Sequence, residues 1–78
     1  MASSKELAKR RAARVWRHFE KSLEQMAIVR EMFAEYHPEY AEAIDTIAMQ
    51  VCIVQSEWED FWRSAWGELP ENIESYAD

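Results

Sequence analysis

Ala34-Glu35-Tyr36-His37-Pro38-Glu39-Tyr40 interrupts an otherwise unbroken run of helix-forming sequence. Proline at 38 disfavours helical geometry at His37, yet it suits the first turn of a new helix, and Glu39 just behind it complements the helix dipole. The break therefore ends one helix and starts another.

On either side of it, apolar residues recur on one seam. Before the break these are Ala8, Ala12, Val15, Phe19, Met26, Val29 and Phe33; after it, Tyr40, Ile44, Ile47, Val51, Val54, Trp58, Phe61 and Ala65. The 4-3-4-3 spacing is the heptad pattern of helices packed side by side. With one glycine, two prolines and abundant Ala, Glu, Met, Lys and Arg, local propensity agrees. The reading is all-α: an antiparallel two-helix hairpin, residues 1–78 forming one domain, with helices over about 4–36 and 38–66 and a short acidic tail over 67–78.

Both ends of the hairpin carry their own signals. Ser3 and Glu6 satisfy a capping box. Gly67 fits the position after a helix end and Pro70 prevents continuation. In the tail, Leu69, Ile73 and Tyr76 are spaced for one or two helical turns, which leaves docking and fraying as equal alternatives.

Folding at 37–38 makes residues equidistant from the break face each other. Trp62 and Trp66 come opposite Ala12 and Ala8, and Trp16 comes near Trp58 and Trp62, so large side chains meet small ones. The expected core and dimer contact comprise Val15, Trp16, Phe19, Met26, Phe33, Ile44, Ile47, Val51, Val54, Trp58 and Phe61. Trp58 and Phe61 are expected buried, Trp66 the more exposed, and Cys52 buried as a small apolar residue. Arg30 and Gln55, at the seam edges, are placed to set register by hydrogen bonds across the pair, or to reach outward into solvent. The same pairing sets the basic start of the first helix beside Glu57, Glu59, Asp60 and Glu68.

A single hairpin of 78 residues is too small to hide such stripes, so the reading includes a homodimer packed as a four-helix bundle. Arg10, Arg14, Arg17 and Lys21 align in a row pointing away from the seam, and Ile28, Met32, Met49 and Ile53 form an apolar set opposite the seams. These eight residues are the candidate partner-binding surface. The apolar four serve either the dimer or a client protein, Met side chains being well suited to filling gaps between helices. The formal net charge of −6 argues against a general nucleic-acid or anionic-membrane binder. The acidic region Glu57, Glu59, Asp60, Glu68, Glu71 and Glu74 offers a DNA-like surface as an alternative.

Catalytic equipment is thin. His18 and His37 are far apart, the single cysteine has no histidine at a motif spacing, and Glu35, His37, Glu39 and Glu42 near the turn read as a solvated cluster in preference to a metal site. Neither a cofactor nor a small-molecule substrate is expected. No stretch reads as a signal peptide or a membrane span, and a lone cysteine suits the cytoplasm, or the host cytoplasm for a phage-encoded product. The expected function is a non-enzymatic adaptor or inhibitor that sterically occupies a larger, unidentified protein, with a phage or mobile-element origin compatible. The alternative is a small nucleic-acid-binding regulator using the basic row.

Overall fold

Two long helices run antiparallel and a short third one closes over their open end in the computed structural model, which describes residues 3–78. Helix α1 spans Ser4–Ala34, α2 spans Pro38–Trp66 and α3 spans Ile73–Tyr76. The result is a rod of 53 × 22 × 18 Å.

The Ser3 hydroxyl caps α1 by accepting from the Glu6 amide at 3.1 Å, which satisfies one of the amides a helix start leaves unpaired. The helix ends at Ala34, two residues before its expected end. Glu35 and Tyr36 form the turn that delivers Pro38 to the start of α2, and the His37 amide bonds back to the Phe33 carbonyl at 2.8 Å. Phe33, His37 and Tyr40 pack together here, with Phe33 edge-on to Tyr40 at 5.3 Å and His37 stacked on it at 4.9 Å. At the other end of α2, Gly67 takes φ +90° and its amide reaches the Arg63 carbonyl at 3.1 Å. Only glycine holds that backbone without strain.

The register follows equidistance from the break. Trp16 donates to Glu59, Gln55 donates to Glu20 at 2.7 Å, and Arg30 donates to Asp45 at 2.7 Å. Each of these three pairs is equally far from 37–38. Gln55 is buried, and its amide nitrogen is served by the Glu20 carboxylate. Asp45 raises the Arg30 guanidinium pKa above the ordinary arginine value, first by accepting its hydrogen bond and then by its charge.

The core lies toward the open end. Ala12, Ala13 and Trp62 are buried together with Ile73 and Ala77 of the tail, and Trp16, Trp58, Trp66, Leu69 and Tyr76 pack around them. The tail is therefore docked and contains α3. Trp62, flanked by Trp66 at 4.9 Å and Tyr76 at 6.1 Å, is the largest side chain removed from solvent. Small Ala12 and Ala13 on α1 make room for it.

Several expectations are corrected. Within the chain, α2 turns Ala41, Gln55 and Trp62 to α1, so the hairpin contact is centred one residue beyond the expected stripe, and Phe61 is 48 % exposed. Trp66 is half-buried because the tail and Trp62 pack on it. Cys52 is exposed, lying on neither the α1-facing side nor the expected seam. The basic start of α1 forms no ion pair with Glu57, Glu59, Asp60 or Glu68 among the described residues. Instead the Trp16 indole reaches Glu59, Asp60 pairs with Arg63 within α2, and Arg17 turns to the tail.

Candidate interaction surface

The expected α2 seam divides into two rows once the hairpin has formed. Ile44, Val51 and Trp58 are half-buried against α1. Tyr40, Ile47, Val54 and Phe61, each seven residues from the next, are 50, 50, 46 and 48 % exposed. Near-equal exposure at heptad spacing means that one straight apolar row runs the length of α2 beside the intrachain contact without being covered by it. In heptad terms Ile44, Val51 and Trp58 are a positions and the exposed row is d. The positions facing α1, Ala41, Ala48, Gln55 and Trp62, are e.

α1 has the same order. Ala12, Phe19, Met26 and Phe33 occupy a and are buried or half-buried, while Trp16, Leu23 and Arg30 at e turn toward α2. Val15 and Val29 at d edge the open side, Val29 with 40 % exposure. The two d rows share one face of the hairpin. There Ala8, Ala12 and Val15 of α1 and Trp58, Phe61 and Trp66 of α2 line one shallow groove, and Met26, Val29 and Ile44 floor a second, with His18 and Gln25 on its rim.

The opposite face belongs to the tail. Ala13 has no exposed surface, Ala77 only 1 % and Ile73 6 %. Arg14 donates through Nε to the Ala77 carbonyl at 2.9 Å, and Arg17 donates to the Asp78 carboxylate at 2.8 Å and to the Ala77 carbonyl at 3.5 Å. The basic row is thus divided: Arg14 and Arg17 hold the tail, Arg10 is exposed, and Lys21 lies 3.6 Å from Glu24. Arg17 and Asp78 are 30 and 80 % exposed, so solvent screens their attraction.

Ile28, Met32, Met49 and Ile53 are exposed by 54, 72, 65 and 56 %. Ile28, Met49 and Ile53 lie outside both the d-row face and the tail contact, whereas Met32 borders the d-row face beside Val29. The sequence reading did not single out Ala13, Ile73 and Ala77 as core. The four-residue step from Ile73 to Ala77, facing the Ala12-Ala13 pair, is the signal that carries them.

At the turn, His37 Nδ1 lies 3.3 Å from Glu39. Among the described residues no three His, Cys, Asp or Glu side chains are grouped to hold a metal ion, and no helix is long and apolar enough to cross a membrane. No family model, curated protein or solved structure matches the chain.

Proposed function

We propose that this chain is a non-enzymatic protein-binding module of the adaptor or inhibitor type, active as a homodimer whose two hairpins form a four-helix bundle. The observation that carries the reading is the row Tyr40, Ile47, Val54 and Phe61, straight, heptad-spaced and half-exposed. Side chains at such positions fill the centre of a bundle when a second pair of helices is laid on them. Left in water, a contiguous apolar stripe of this length marks an interaction surface.

With the d-row face closed by the second copy, the exposed apolar side chains Ile28, Met49 and Ile53 are left for the target, with Lys21 the cation of the basic row level with them and Arg10 free nearer the open end. Binding blocks the target sterically, and the two-fold dimer presents each surface twice. Exposed Cys52 suits a reducing cytoplasm. Direct phosphate binding is the weaker reading, because Arg14 and Arg17 are engaged by the tail.

The test has two parts. Sedimentation equilibrium should return twice the 9.3 kDa chain mass. Any protein captured from the native host should be lost by an Ile28→Glu, Ile53→Glu variant that remains dimeric. Retention of that partner by the variant would remove these residues from the target surface.

A further inference from the structure

Resting on the homodimer reading above, we infer that the two hairpins pack with their turns at the same end of the bundle, α1 of each copy lying beside α2 of the other. The inference comes from the positions flanking the d rows. Three residues after Ala8, Val15, Ser22 and Val29 stand Arg11, His18, Gln25 and Met32; three after Tyr40, Ile47, Val54 and Phe61 stand Ala43, Gln50, Glu57 and Ser64. These are the g positions. The e positions already face the chain's own partner helix, so in a four-helix bundle the g positions face the other copy.

All eight are exposed in the single chain. Arg11, His18 and Gln25 rim the two grooves.

A closed dimer of antiparallel hairpins packed face to face has two possible axes. A two-fold parallel to the helices leaves every residue at its own height and sets α1 beside the partner's α2. Heights are known from the internal pairs Trp16 with Glu59, Glu20 with Gln55, and Arg30 with Asp45. With no freedom to slide, this axis places His18 beside the partner's Glu57, Gln25 beside the partner's Gln50, Met32 beside the partner's Ala43, and Arg11 beside the partner's Ser64. Each pair is complementary: imidazole with carboxylate, amide with amide, thioether with methyl, guanidinium with hydroxyl. It also brings the basic start of α1 against the acidic end of the partner's α2.

A two-fold perpendicular to the helices sets like beside like. Glu57 would then face only the g positions of a second α2, none of which is a cation, and His18 and Arg11 only those of a second α1, none of which is an acid. On the parallel axis Phe61 comes level with the stretch between Ala12 and Val15, and Trp58 comes level with Arg17, between Val15 and Phe19. Complementarity along the g positions selects the turns-together arrangement.

The experiment uses full-length chains carrying Cys52→Ser, each with one new cysteine, at Gln25, Gln50 or His18. Sedimentation first establishes that each remains a dimer. Chains are then mixed in pairs, allowed to exchange, and oxidised mildly, and the disulfides are mapped by mass spectrometry. The turns-together dimer forms the mixed disulfide of Gln25→Cys with Gln50→Cys at least tenfold faster than that of Gln25→Cys with His18→Cys. A dimer that links Gln25→Cys to His18→Cys or to itself, or that gives no disulfide between positions 25 and 50, overturns the topology. A wild-type chain that sediments as a monomer overturns the dimer on which the topology rests.

Discussion

The Trp58 indole nitrogen donates to the Ala12 main-chain carbonyl at 2.9 Å, across the seam and inside the best-packed part of the hairpin. A side chain that large reaches the opposing backbone only because the residue facing it is alanine. Trp58→Phe keeps an aromatic ring but removes the donor, and the lost bond and volume should cost about 1–2 kcal/mol in chemical denaturation followed by circular dichroism. A change under about 0.3 kcal/mol would mean that the bond adds nothing net.

Two other cross-helix polar pairs should differ in strength. Gln55 is buried and Glu20 is half-buried, whereas Arg30 and Asp45 are 39 and 51 % exposed. Removing Glu20 strands a buried amide, so Glu20→Ala should destabilise by about 1–3 kcal/mol, while the Arg30–Asp45 coupling should stay below about 1 kcal/mol. Double-mutant cycles on both pairs measure this. A larger coupling for Arg30–Asp45 would reverse the ranking.

At Gly67, φ is +90° and an added Cβ would meet nothing within 4 Å. Gly67→Ala is therefore a test of backbone strain free of any clash. The expected loss is about 1–3 kcal/mol, seen as a lower midpoint in thermal melts. An unchanged midpoint would show that the chain leaves α2 by another route at no cost.

Tail docking rests on apolar burial at Ile73 and Ala77, with the two arginines adding directed bonds. Ile73→Ala should raise hydrogen exchange at the Ser75 and Ala77 amides, which bond to the Asn72 and Glu74 carbonyls, while leaving mid-α2 protected. Arg14→Ala with Arg17→Ala should do the same more weakly. If the arginine pair matters more than Ile73, charge and not packing holds the tail.

Much of this was legible in the residues. His37-Pro38, the capping Ser3 and the Gly67-Pro70 stop act locally, so they could be read without tertiary information. The register could also be read, because a tight turn makes equidistant residues meet. What the residues left open was rotation about each helix axis. Heptad spacing marks a stripe wide enough to serve two neighbours, and it does not tell which edge the chain's own second helix takes. Phe61, on that stripe, is half-exposed in the single chain, while Trp62 beside it is buried. Tail docking was undecidable for a related reason: Ile73 and Ala77 find their burial on Ala13, which lies off the heptad seam.

The d-row face is open in the single chain, and sedimentation equilibrium across a wide concentration range, on wild type and on Val54→Glu, tests most directly whether a second copy closes it. The prediction is a dimer for wild type and a folded or partly unfolded monomer for Val54→Glu, whose carboxylate would enter the centre of the bundle unpaired. A wild-type chain that remains a stable, well-folded monomer at high concentration would contradict it.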